Sequence, residues 1–433
     1  MIKKAILLLA VLCAPLISRG EVIQVSGTIS SNITWFAENT YHITDNLTIA
    51  FGARLTIDPG TVIKFGKQRI SSYREEVGLY IQGALWAQGT AENPIYFTSV
   101  DDSVVGGSTG GDGVPDSTDW GWIEFQGSSE DANCLLEHCV IRYGGNDYYD
   151  YAGLKRNESF VIRCQDASPT IRNCEITQCR GLIYGGANSS PTIVQNTLQG
   201  FGGGWGFAFE GVGAPRIAHN TISHTGGGIS IVNGNASITN NAMTFGGEGI
   251  AVAGGAATIL DNTLNAGEAG ITVATGAATI QGNELHAGGN GIVAGSGAAM
   301  VSGNTITVSG SGTVLSLSGT ATISGNTATG GGTGIQIAAG ATGTVQNNQV
   351  SDAALAVDWA TPSTPIFSGN TFAGAGFRGL RVFGTINTNT HWRAEALTAL
   401  GLEPVYLISD NLTVASGAEL RIDPGTVIKF GKQ

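Results

Sequence analysis

Two stretches of this 433-residue chain gather side chains that could do chemistry. The first, YGGNDYYDYAGLKRNES at residues 143–159, interleaves Tyr148, Tyr149 and Tyr151 with Asp147 and Asp150, then adds Lys155 and Arg156. Aromatic faces flanked by hydrogen-bonding groups suit sugar rings, which makes the tyrosines and aspartates a candidate ligand-binding set. Nearby Arg142, Arg163, Arg172 and Arg180 could draw in acidic sugars. The second stretch is the polar loop from 101 to 119. Its Asp101, Asp102, Asp112, Asp116 and Asp119 could supply the several oxygen ligands that calcium requires. A structural reading stands beside each chemical one: tyrosines packed over a coil edge, and a solvated Gly/Asp turn.

The elements that carry these stretches must be strands and turns. Gly supplies 66 residues, about twice average usage, without a three-residue period, and only 12% of residues are charged. With 42% apolar residues rich in Ile and Val, the chain reads as all-β and turn-dense, neither collagen-like nor disordered. A net charge of −12 argues against nucleic acid, whose phosphates need clustered Lys and Arg. Residues 1–20 have the layout of a secretory signal: Lys3 and Lys4, an apolar run through Ile17, then Ser18 and Gly20 before Glu21. No second apolar run follows, so a membrane span is not expected, and the protein reads as secreted or displayed at a bacterial cell surface. Leu12 is bulky for a residue preceding a lipidated Cys13. Five cysteines follow the leader, an odd number, and His138 beside them does not complete a zinc site.

Internal periodicity decides the architecture. From residue 169 onward an apolar residue, two variable residues, Asn, one residue and another apolar residue recur, as in ITNNAM at 238–243 and ILDNTL at 259–264. The Asn falls at Asn196, Asn220, Asn241, Asn262, Asn283, Asn304, Asn326, Asn348 and Asn370, at gaps of 21 to 24 residues. Between these lie segments such as GISIV at 228–232 and GITVA at 270–274, with the two-residue period of a strand. Such strands need a coiled parallel sheet, because one coil cannot bury its apolar face alone. Stacking at about 4.8 Å per coil sets each Asn over the last, its amide bonded above and below and its backbone left-handed at the turn.

On this repeat the chain resembles the right-handed parallel β-helix family, the pectin-lyase-like fold of pectate lyases, over roughly residues 45–375. The resemblance implies a solenoid with coils of about 21–22 residues and an Asn ladder, the module spanning residues 21–380. Aligning LEHCVI at 136–141 with IRNCEI at 171–176 puts Cys139 and Cys174 at the Asn position, where they would stack as a disulfide or as thiols. The segment 41–68 returns at 406–433 with 22 of 28 positions identical, both copies closing on IDPGTVIKFGKQ. The second copy carries eight extra residues before Tyr406. Residues 381–433 are therefore expected to open a second, truncated module of a multi-module surface protein, with further β-helix modules as partners.

Two functional expectations follow from the resemblance. By analogy with pectate lyases, Asp147 and Asp150 would hold calcium against an acidic sugar, and Arg156 or Lys155 would abstract a proton. The loop TGGDGVPDSTD likewise resembles the Asp-rich calcium loops of secreted repeat proteins, although Gly110 stands where a further Asp is expected. The Arg–Ile–Lys motif of polygalacturonases is absent, and residues 285–351 contain no Asp, Glu, Lys or Arg. The favoured reading is an exported, non-catalytic, adhesin-like scaffold binding extracellular polysaccharide, with calcium as the one candidate cofactor. The alternative is a calcium-dependent lyase or epimerase acting on acidic glycans.

Overall fold

Alternation along each strand decides which side chains face inward. In Gly227–Ile231, Ile229 and Ile231 are buried while Ser230 turns outward. From coil to coil the inward positions fall in register. Ile162, Ile183, Phe207, Ile229, Ile250, Ile271, Ile292, Leu315, Ile335 and Val357 form one column of fully buried side chains. Each such side chain contributes about 1.5–3 kcal/mol when removed from water, a gain that needs a neighbouring coil on both sides.

A computed structural model describes residues 20–67, 77–145 and 160–431. It is a right-handed parallel β-solenoid of three-sided coils, as the repeat implied. A 31-stranded sheet covers two sides, because long strands such as Thr40–Ile49 pair on both. A 14-stranded sheet forms the third side. Among the described residues no helix is long and apolar enough to cross a membrane. Apart from Gly20, the leader-like segment lies outside the described residues.

The nine asparagines form the expected ladder, each at most 3% exposed. Asn262 is representative: its amide Nδ2 donates to Asn283 Oδ1 at 3.0 Å and to the carbonyls of Ile238 and Leu260. Its Oδ1 accepts from both the backbone N–H and the Nδ2 of Asn241, each at 3.0 Å. The left-handed residue, however, is the one before the ladder position. Gln195, His219, Asn240, Asp261 and Asn347 have φ between 53° and 59°, and Gly282, Gly303, Gly325 and Gly369 fill the same place in the other coils. The ladder residue keeps ordinary backbone because its side chain must point inward, and its predecessor makes the bend, where Gly, Asn or Asp costs least.

Cys139 and Cys174 do extend the ladder column. Cys174 N–H donates to Asn196 Oδ1 at 2.8 Å, and Cys139 lies one coil further down, against Cys174. Both are free, buried thiols rather than a disulfide, each Sγ directed at backbone carbonyls.

The echo segment continues the same stack. The expected boundary at 380/381 falls inside the strand Phe377–Ile386, which pairs with Leu355–Thr361 below and with Val405–Ile408 and Leu412–Val414 above. The eight extra residues form helix α1 (Ala394–Ala399) and its flanks, anchored by buried Leu397 and Leu402. Both copies stack a tryptophan on a tyrosine at 4.3 Å, Trp35 on Tyr41 and Trp392 on Tyr406. Their surroundings differ. Phe65 is fully buried under the coil that follows it, whereas its counterpart Phe430 is 76% exposed.

Two measurements check this account. Asn262→Ala strands the N–H and amide of Asn241 in a dry interior and is expected to lower unfolding free energy by about 2–4 kcal/mol in urea titrations. A loss below about 0.5 kcal/mol would contradict the ladder's role. Hydrogen exchange should be about tenfold or more slower across 57–66 than across the identical 422–431, using peptides that include the differing Arg54 and Glu419 to tell them apart.

Candidate functional site

Three successive strands of one side, Val62–Phe65, Ile95–Ser99 and Cys139–Arg142, and the loop from 101 to 119 enclose a cluster of charge. Lys64, Thr98, Ser99 and Asp102 are fully buried, and Asp101 nearly so. Lys64 Nζ donates to the Asp102 carbonyl at 2.7 Å and to the Gly107 carbonyl. The Asp102 carboxylate accepts from Thr98 Oγ1 at 2.6 Å and from Arg142 Nε at 2.8 Å. Lys67 bridges Asp101 and Asp119, the latter at 2.7 Å, and Ser99 Oγ donates to Asp119 at 2.5 Å. Trp120 closes the cluster, stacked on Phe65 at 4.0 Å with its Nε1–H bonded to the Arg142 carbonyl.

The predicted calcium ligands therefore divide. Asp101, Asp102 and Asp119 meet, but Lys64, Lys67 and Arg142 match them charge for charge, leaving no excess for a divalent ion. Asp112 and Asp116 are exposed, and their carboxylates accept from Val114 N and Ser117 Oγ within the loop. Among the described residues no group of three or more His, Cys, Asp or Glu is arranged to hold a metal ion. Burial works against the Lys67 charge, but hydrogen bonds to Asp101 and Asp119 outweigh it and hold the ammonium above the usual lysine range. The cluster pins the loop to the coils.

Beside it lies an open polar cavity of about 420 Å3, bordered by His42, Lys67, Asp101 and Asp112. Burial, reinforced by the Lys64 charge, holds His42 below the usual histidine range, and its Nδ1 is buried without a partner.

A second arrangement lies on the outward face of the sheet containing Leu79–Ile81, Ile123–Phe125, Phe160–Cys164 and Gly181–Gly185. One outward position per coil is in register here, and it is occupied by Tyr80, Glu124, Arg163 and Tyr184. The Arg163 guanidinium lies 4.5 Å over the Trp122 ring and 3.3 Å from Glu124. Tyr80 meets Trp122 edge-on at 6.3 Å. Gln126 donates to Glu124 at 2.9 Å and accepts from Gln82 at 3.1 Å. Tyr184 donates its hydroxyl to Glu210 at 2.9 Å. Further along the same row the residues become Ala208, Ser230, Ala251, Thr272, Val293 and Ser316. Glu124 and Tyr184 are buried, at 7% and 4% exposure, and back the half-buried Tyr80, Trp122 and Arg163, whose rings and guanidinium are the part of the group a sugar ring can reach.

Sequence reasoning missed Tyr80, Trp122, Glu124 and Tyr184 as a group. The row positions Tyr80, Glu124, Arg163 and Tyr184 are spaced 44, 39 and 21 residues apart, so only the coil register aligns them. Of the arginines expected to attract acidic sugars, Arg142, Arg163 and Arg172 are paired with Asp102, Glu124 and Glu137. The insertion residues Asp147, Tyr148, Tyr149, Asp150, Tyr151, Lys155 and Arg156 lie outside the described residues.

His42 generates a pH prediction. A depressed folded-state value means stability is complete above about pH 6.5 and is lost as pH falls through that lower value, since the unfolded chain takes up the proton first. Melting temperature should fall from pH 7.5 to 5, and less steeply in His42→Gln. Parallel slopes for the two proteins would refute the assignment.

Comparison with known proteins agrees with the geometry. Residues 123–264 and 248–391 match the family model described as right handed beta helix region, and residues 27–156 match a pectate-lyase like beta helix domain. No curated protein matches the chain significantly. Among solved structures, a tailspike protein mutant of E. coli bacteriophage HK620 in complex with hexasaccharide is similar at TM-score 0.41 and 11% identity, over 89% of this chain and 71% of that one. A double mutant of the same tailspike in complex with pentasaccharide gives TM-score 0.41 and 12% identity, over 89% and 72%. With the family model spanning residues 123–391 and the coils stacked as described, the chain belongs to the right-handed β-helix family.

Proposed function

We propose that the protein is an exported β-helix scaffold that binds extracellular polysaccharide on the face of Tyr80, Trp122 and Arg163, backed by the buried Glu124 and Tyr184. The observation that carries this reading is the clustering of Tyr80, Glu124, Arg163 and Tyr184 on four consecutive coils of one row, with Trp122 beside them; the next six positions are small or aliphatic before Gln336, Asp358 and Arg381 complete the row. β propensity alone accounts for Thr, Val and Ser on an outward face; it does not account for two tyrosines, a glutamate and an arginine side by side. The leader-like residues 1–20 support export. The chain acts by binding rather than turnover, because the charges beside the rings are engaged with one another.

A glycan array probed with the full chain tests this. Binding to a restricted set of polysaccharides is expected, weakened about tenfold or more by Trp122→Ala and comparably by Arg163→Ala. Undiminished binding by both variants would remove the face from the function. Calcium-dependent release of unsaturated uronates, lost in Arg156→Ala, would replace the binding reading with a lyase.

A further inference from the structure

The terminal coils leave a cavity of about 290 Å3 between themselves and the last coil of the body. Its origin is a change of side. In the first copy, Ile23–Val25 lie beneath Tyr41–Ile43, on the side continued by Ile63–Phe65. In the second copy, the equivalent Leu380–Val382 sit on Val357–Trp359, which belong to the side of Leu79–Ile81. The echo is thus set one side round the axis. The 14-stranded sheet ends at Ile366–Ser368, the strands Thr390–Trp392 and Leu420–Ile422 form a separate pair, and α1 occupies the corner.

Trp359 reaches the cavity from the body, while Trp392 and Tyr406 reach it from the terminal coils. Leu380, Val382 and Leu397 complete a wall of carbon. Among the described residues no Asp, Glu, Lys, Arg or His lines it. Hydroxyls stand at the rim, and three have already spent their protons. Thr361 donates to the Phe383 carbonyl at 3.0 Å, Ser363 to Ala360 at 2.7 Å and Thr390 to Thr388 at 3.0 Å. These three oxygens therefore offer a ligand lone pairs, which accept, beside the Asn387 amide and the Thr364 and Thr388 hydroxyls.

We propose that this cavity binds a neutral, ring-based organic molecule with an apolar body and a hydroxyl that donates to the rim. The cavity is half open to solvent, and its carbon wall is a place where a ligand gains contacts the protein does not make for itself. An apolar cavity of about 150 Å3 takes benzene, which scales to two fused rings here. The absence of charged groups excludes acidic sugars and phosphates, and the carbon wall disfavours a bare hexose. The site is independent of the glycan face, which lies on other coils.

The test is calorimetric titration of the full chain with 2-naphthol, and with 2-methoxynaphthalene as the same body without the donor. One saturable site is expected for 2-naphthol, with the methoxy compound about fivefold or more weaker. Ala396→Phe and Leu400→Trp, substitutions at two lining positions of α1 and its C-cap, should weaken 2-naphthol about tenfold or more while melting temperature and glycan binding stay unchanged. Absence of saturable binding to the wild type overturns the proposal, as does wild-type affinity in both filled variants. If Ala396→Phe fails to fold, Leu400→Trp decides. Equal affinity for the two naphthalenes removes the donating hydroxyl from the ligand class.

Discussion

A buried primary amide has two donors and an acceptor to satisfy, and nothing inside a three-sided coil can satisfy them all. The solution is another amide one coil away. Asn262 shows the full set of bonds, and every rung from Asn196 to Asn348 repeats the amide-to-amide link to its successor. This requirement fixes the height and azimuth of one residue per turn, and the rest of the coil must close around it. Where a coil is longer, the excess is expelled into turns. Asn196 to Asn220 is three residues longer than Asn220 to Asn241; two are absorbed between Gly200 and Trp205 and one between Phe209 and Arg216. The strand registers do not change.

That constraint also says where chemistry can reside. Inward positions are committed to the stack, so functional variety is left to outward rows and to loops ejected at the corners. The long loop and the insertion both leave the first coils, and the same coils carry the aromatic and charged row. Buried charge there is compensated internally, by Lys64, Lys67 and Arg142 against three aspartates. Breaking one member of such a set leaves its partner uncompensated in a dry site, so the cluster works as a rivet for the loop, and its specificity of pairing holds the loop in one place.

At the other end, near-identical sequence meets a different foundation. The segment that lies beneath its own second coil in the first copy rests, in the second, on a finished body with a different side presented to it. Helix α1 and the cavity beside it reconcile two stacks that do not share a phase. Ile57 and Phe65 are core while their counterparts Ile422 and Phe430 are surface, because burial belongs to the neighbouring coil and not to the segment.

Much of this was legible without coordinates. The spacing of Asn196 through Asn370, the alternation in GISIV and its relatives, and the repeated IDPGTVIKFGKQ determined a stacked parallel solenoid, its ladder, its inward column and the position of Cys139 and Cys174 on it. All are local periodicities, and periodicity survives in one dimension. Only the tertiary structure decided which turn residue is left-handed, that the cysteines are thiols, that Asp101, Asp102 and Asp119 face lysines and an arginine, and that Tyr80, Glu124, Arg163 and Tyr184 share a row. Each of those depends on contacts between coils of unequal length. Where loops of different size intervene, distance along the chain no longer counts turns of the helix, and only the hydrogen-bonded register does.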